Sequence, residues 1–241
     1  MKPILLLPLV LALPAFAGTP ATVAPPAPSC LTSWFAGASV GYLTELEEPM
    51  YTVHLGVTNS CWMIGGWNVG LFAEVGYTQK DEDYSPRERT SVPPPVNFNG
   101  NKLSVDVDEM GQLLQWAADR FYAHTSYDLD IIPITLNVKF ERTLSGNLNA
   151  YFGGGLGVAL VDLDIGVSNG DNIRESASDS DWVFYGQLFA GLSYSVSPNF
   201  QIFGGARWIY MSDADLSDQG YNATLELGSD CLLELGACYK F

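Results

Sequence analysis

His124 and Ser126 stand two residues apart, and His54 stands alone. An imidazole within hydrogen-bond reach of a serine hydroxyl is the core of nucleophilic acyl transfer, provided a carboxylate orients the ring. A two-residue motif is weak support for such chemistry. No Ser-His-Asp constellation, phosphate loop or zinc cluster occurs elsewhere in the chain. The run Asp213-x-Asp215-x-x-Asp218 lacks the glycine and glutamate of a calcium loop. The chain is therefore expected to be no enzyme and to carry no metal or cofactor.

The cysteines are Cys30, Cys61, Cys231 and Cys238, with no C-x-x-C motif. On one strand, Cys231 and Cys238 would lie roughly 24 Å apart on opposite faces, so they cannot bond to each other there. Which cysteine pairs with which depends on the strands, and so does the environment of Glu74, Arg207 and Glu234.

The N-terminal residues set the compartment. Lys2 gives a short positive start, Ile4 to Leu13 is an apolar stretch broken by Pro8, and Ala15-Phe16-Ala17 is an A-x-A cleavage site. Residues 1–17 read as a signal peptide cut before Gly18, too short to span a bilayer as a helix. Residues 18–29 (GTPATVAPPAPS) hold four prolines and no charge, the composition of an extended periplasmic linker. Residues 30–241 remain for one domain.

Within that domain the clearest strand is Trp67 to Thr78. Trp67, Val69, Leu71, Ala73, Val75 and Tyr77 share one face, against Asn68, Gly70, Phe72, Glu74, Gly76 and Thr78. This is period-2 alternation over a length unusual for soluble strands. Aromatics sit at both ends of the apolar face and aliphatics between them, as the two interfaces of a bilayer favour. Similar alternation recurs over residues 34–43, 51–58, 132–141, 151–160, 182–194, 201–210 and 225–241. In that last segment Leu225 and Leu227 join the apolar stripe. The opposite face carries Gly, Ser, Thr and scattered charges, which suits the crowded interior of a narrow barrel. A soluble barrel would show the reverse. The fold class is all-β: an eight-stranded antiparallel transmembrane up-and-down β-barrel. Short turn-like links at 144–147 and 197–199 mark the periplasmic end. Longer polar links at 45–49, 79–128, 162–181 and 212–222 mark the outer end.

Face parity then places the charges. Glu74, Arg207 and Glu234 point inward at similar depth, and an unpaired buried charge would cost several kcal/mol. A lumenal network of Glu74, Arg207 and Glu234, with Lys139 and Glu141 also inward, is expected, chiefly as filling for the lumen. Net charge is −16, with the acid concentrated in the outer segments. Such a surface is expected to repel nucleic acid, and solvated loops with no specific ligand are expected ahead of recruitment of divalent cations shared with lipopolysaccharide. Within the long loop, Asp108 is placed to cap a helix with Met110, Leu113, Leu114, Ala117 and Phe121 on one face. Equally open is a loop whose halves extend the flanking strands above the membrane.

Antiparallel pairing about a turn near Glu45 keeps the residue-number sum near 91, and 30 plus 61 is 91. A disulfide between Cys30 and Cys61 at the periplasmic rim follows, in an oxidising compartment. It would restrict the unfolded chain by about 3–4 kcal/mol in the loop-closure account. Cys238 is the inward-facing competitor, and Cys231 is expected to stay a free thiol in the wall.

Across roughly Trp34 to Phe241 the chain resembles the OmpA/OmpX-like outer-membrane β-barrel family, through WFAGASVGY, IPITLNVKFE, LNAYFGGGLGVAL and YGQLFAGLSYSVSPNFQIFGGAR. The end of the chain is similar to the insertion signal of that class, in Glu234, Gly236, Tyr239 and the terminal Phe241. The resemblance implies delivery to the outer membrane by the barrel-assembly machinery. The chain departs from two-domain members in having no peptidoglycan-binding domain after the barrel, and its second outer loop is unusually long. His124-Thr125-Ser126 resembles the His-x-Ser of a lipid A deacylase, but it falls in the outer loop and its surroundings do not match. The expected function is that of a non-enzymatic, monomeric barrel supporting envelope structure or surface interaction, in contact with outer-membrane lipid and lipopolysaccharide. A narrow pore is the alternative.

Overall fold

The computed structural model describes residues 30–86, 97–99, 102–121, 123–169, 173–218 and 221–241. The expected signal peptide and linker lie outside the described residues. Eight long strands are β1 (Thr32–Leu43), β2 (Pro49–Ile64), β3 (Trp67–Tyr84), β6 (His124–Ser145), β7 (Leu148–Asn169), β8 (Ile173–Ser195), β9 (Phe200–Met211) and β12 (Ser229–Lys240). They close a ring in the order β1-β12-β9-β8-β7-β6-β3-β2, every pair antiparallel. The seam between the first and last strands continues past β12, where Trp34 and Phe241 exchange both backbone hydrogen bonds. A closed ring leaves no unpaired edge, which a spanning sheet requires because lipid offers no hydrogen bonds.

The apolar stripe covers the outer wall. Tyr42, Tyr51, Tyr77, Trp182 and Tyr210 ring it at the loop end, and Trp34, Phe152, Tyr194, Phe200 and Tyr239 at the turn end, all exposed. Leu136, the most exposed of these wall residues at 74%, lies midway. In water such a surface would be a severe liability; in lipid it is the stable arrangement. Inward glycines answer the crowding inside. A Cβ at Gly155 would collide with the Asn137 side chain, and one at Gly157 with the Ile134 carbonyl.

The strands do not stop where the belt stops. β3 runs on through Tyr84 and β6 begins at His124, so the link predicted over 79–128 is shorter and its two ends are strand. Likewise β7 and β8 stay paired from Leu160↔Trp182 out to Asn169↔Ile173, where 162–181 was expected to be loop. Above the belt the polarity of the alternation inverts. Outward positions on these strands become Asp81, Asp83, Asp128, Asp130, Asp162 and Asp164. Inward positions become Tyr127, Leu129, Ile131, Val161, Leu163 and Val183, all buried. The same strands thus meet lipid lower down and water higher up. The inner face mixes polar and aromatic side chains within the belt and turns largely aliphatic beyond it on β6 and β7, while β3 keeps Thr78 and Lys80 inward.

A cap adjoins this apolar upper interior. It consists of β4 (Asn97–Asn99), β5 (Lys102–Asp106), β10 (Ala214–Asp218) and β11 (Tyr221–Glu226) in the order β10-β11-β5-β4, together with α1 (Val107–Phe121). Leu225, expected on the lipid stripe, is instead 1% exposed within β11. Gly228, at φ 62°, breaks the chain between β11 and β12 in a conformation that side chains resist. The helix and the strand extensions, which sequence left as alternatives, are both present. The residue capping α1 is Asp106, whose Oδ1 accepts the Glu109 N–H at 2.6 Å; Asp108 falls in the first turn. Met110, Leu114 and Ala118 are the buried stripe, while Phe121, expected beside them, is 64% exposed.

Candidate functional site

The lumen within the belt holds the charges that parity placed there. Arg207 donates from Nη1 to Glu74 Oε1, and from Nη2 to Glu74 Oε2 at 3.2 Å and Glu234 Oε2 at 2.9 Å. All three residues are 4% exposed. One guanidinium thus faces two carboxylates, an arrangement in which its planar fork serves both without rotation. Ser39 Oγ adds a donor to Glu234 at 3.2 Å. Lys139 and Glu141 form a separate pair at 3.2 Å, with Ser193 and Gln201 also donating to Glu141.

Gln187 is the member that sequence reasoning did not single out. Its Oε1 accepts from Arg207 at 2.6 Å, and its amide donates to Glu74, Thr135 and Asn137. Its inward parity between Tyr185 and Phe189 was the available signal, since a buried amide must find partners. His54 is packed among Phe35, Phe72 and Phe203, with ring centroids 5.6–6.1 Å away. That is an aromatic box inside the wall and offers no carboxylate–imidazole–hydroxyl relay.

The space left is small. The cavity between Phe35, His54, Lys139, Tyr151 and Arg207 measures about 40 Å³, room for about three water molecules. Two groups buried in it, Tyr151 Oη and Arg207 Nε, have no partner among the described residues, so such waters would have donors and acceptors to meet. Beyond it the apolar upper interior begins.

His124 and Ser126 both face outward from the strand extension. Nδ1 of His124 lies 3.1 Å from the hydroxyl of Ser85, the residue just past the end of β3. The resemblance to a His-x-Ser site therefore does not carry over to geometry, because the hydroxyl at His124 belongs to another segment. On the same outward face Asp162 stands opposite Asp130, and Asp128 stands between Asp81 and Asp164. Partial desolvation and the carboxylates of Asp164, Asp130, Asp179 and Asp128 hold the Asp162 carboxyl above its ordinary range. Among the described residues no group of His, Cys, Asp and Glu could hold a metal ion.

At the turn end a disulfide joins Cys30 and Cys61, continuing the register Thr32↔Asn59. Cys231 is exposed on the outer wall and Cys238 is buried in the lumen, both free. In the C-terminal motif, Glu234 enters the charge network, Gly236 faces inward against Phe203 and the Ala38 carbonyl, and Tyr239 and Phe241 lie exposed. Non-reducing peptide mapping should recover a Cys30–Cys61 peptide. A lipid-soluble maleimide should label Cys231 in the folded barrel and Cys238 only after unfolding. A Cys30–Cys238 peptide would refute this arrangement.

No family model and no curated protein matches the sequence. Among solved structures, the chain is similar to a major outer membrane protein from Thermus thermophilus, at 14% identity over 88% of this chain and 100% of that chain, with a TM-score of 0.53. It is also similar to Neisserial surface protein A (15% identity, 87% and 97% covered, TM-score 0.40) and to the N-terminal β-barrel domain of Pseudomonas aeruginosa OprF (13%, 88% and 100%, TM-score 0.41). The fold is that of an outer-membrane β-barrel, as the family resemblance implied.

Proposed function

We propose that the chain is exported behind a cleaved signal peptide to a bacterial outer membrane and serves there as a closed, non-enzymatic, monomeric barrel. It supports the envelope and meets the surroundings through its acidic loop end. The observation that carries this reading is the blocked lumen: a paired charge cluster, room for only a few waters, and an apolar interior above. A solute would have to break Arg207 away from two carboxylates, a costly step.

Its partners on this reading are outer-membrane lipid against the belt and lipopolysaccharide at the belt's outer edge, with the barrel-assembly machinery as the route of insertion. Six outward aspartates directly above the aromatic rim would repel phosphate-rich headgroups unless divalent cations screened them, and they disfavour nucleic acid. In planar lipid bilayers the folded protein should give no unitary conductance steps; steps of reproducible size would replace this reading with the pore. Lipid A from cells producing the protein should have an unchanged mass spectrum, and a lost acyl chain would instead make the barrel an enzyme.

A further inference from the structure

A cavity of about 320 Å³ lies at the loop end, between the upper inner wall and the cap. That is within the range of small-molecule sites. Its apolar lining includes Leu43, Met50, Ile131, Tyr185, Ile209 and Met211, each 8% exposed or less. Its remaining lining includes five carboxylates, Glu45, Asp106, Asp108, Glu226 and Asp230, and no lysine, arginine or histidine. Three of these acids have local duties. Asp230 accepts the backbone N–H groups of Thr44, Glu45 and Leu46, Asp106 caps α1, and Glu226 accepts from Ser104. Glu45 and Asp108 have no cationic partner among the described residues. The neighbouring ammonium of Lys80 is taken up by the Leu46 carbonyl at 3.2 Å and by Glu82 at 3.8 Å.

A second observation points to a guest. Tyr185, in the cavity wall, is 1% exposed, and its hydroxyl has no hydrogen-bond partner among the described residues. A buried hydroxyl without a partner costs free energy that a bound polar group recovers. Its ring is also a surface over which a cation is attracted.

We propose that this cavity is a binding site for a small amphipathic cation, an organic ammonium carrying an aromatic or aliphatic body. The apolar body replaces water against Met50, Ile131, Ile209 and Met211, and the ammonium is held by the field of the five carboxylates. A neutral analogue keeps only the first contribution, and an anionic analogue is opposed by the second. This site does not depend on the envelope reading, since it lies outside the lumen's charge cluster and requires only the folded barrel with its cap.

The test is equilibrium dialysis of 1-naphthylmethylammonium against the full chain folded in lipid nanodiscs, with 1-naphthaleneacetate as the charge-reversed probe and empty nanodiscs as background. Saturable binding of the ammonium is expected, at least 10-fold tighter than that of the acetate. Asp108→Asn combined with Glu45→Gln alters two exposed side chains, so the barrel should still fold and shift on an unheated gel. It should weaken the ammonium at least threefold and leave the acetate no weaker. Ile209→Trp should fill the cavity and abolish saturable binding. If that variant fails to fold, the double charge variant still decides. Equal binding of the two probes, binding no greater than in empty nanodiscs, or an affinity unmoved by the double variant would overturn the proposal.

Discussion

Replacing Arg207 with methionine should cost the folded barrel about 3–5 kcal/mol, the range for removing one partner of a buried ion pair. Methionine keeps most of the volume, so the loss is electrostatic rather than steric. Glu74 retains the Gln187 amide and Glu234 retains the Ser39 hydroxyl, but two carboxylates would then share a buried site without a cation. Urea titration of the protein in lipid vesicles measures the effect. Glu74→Gln on its own leaves Arg207 facing Glu234, a balanced pair, and should cost less. Added to Arg207→Met, it should restore part of the stability, because only one uncompensated carboxylate remains. Single effects that sum to within about 0.5 kcal/mol of the double would mean that the two residues do not interact, and the network would be coincidence.

That cluster was legible in the sequence because strand parity depends on counting alone. Glu74 sits opposite Leu71 and Val75, Arg207 opposite Trp208 and Ala206, and both assignments need only the period of two. The same arithmetic placed Cys30 against Cys61, since an antiparallel register is a constant sum and the first hairpin carries no bulge before Asn59. What the period does not reveal is which solvent a face meets. Asp128, Asp130, Asp162 and Asp164 looked like the ends of strands because a lipid-facing stripe cannot contain them. They continue the strands, with water replacing lipid outside and Leu129, Val161 and Leu163 turning the inside apolar. Leu225 was misplaced for the related reason that a leucine facing lipid and a leucine buried under a cap look alike in an alternating run. Gly228 is the residue that separates them, and its left-handed backbone has no alternation to disturb. The cap itself was illegible because its pairs are nonlocal: β5 meets β11 in parallel across some 120 residues, and no turn signal announces such a contact.

The inversion of polarity can be tested on one strand. Leu156 and Asp162 both face outward on β7, six residues apart, and Leu156 is 64% exposed. In a soluble protein an exposed leucine tolerates arginine, whereas reversing an aspartate's charge is the harsher change. Here the order should reverse. Leu156 pairs with Leu136 midway along the belt, so Leu156→Arg places a guanidinium near the centre of the bilayer and should cost about 2–4 kcal/mol. Asp162 lies past Leu160, opposite Asp130, where like charges face each other directly and destabilise the pair. Asp162→Arg turns that repulsion into attraction and should raise the unfolding midpoint at neutral pH. The sign of its pH dependence follows from the raised carboxyl of Asp162. A group whose folded pKa lies above its unfolded value takes up a proton on folding, so the wild type gains stability as pH falls through that folded value. The advantage of Asp162→Arg should therefore be present at neutral pH and shrink in acid, as Asp162 in the wild type and then its neighbours lose their charge. Unfolding of both variants in vesicles at pH 7.5 and pH 4 gives the comparison. Equal losses for the two arginines at pH 7.5 would place Asp162 in the same medium as Leu156, and the boundary between Leu160 and Asp162 would be wrong.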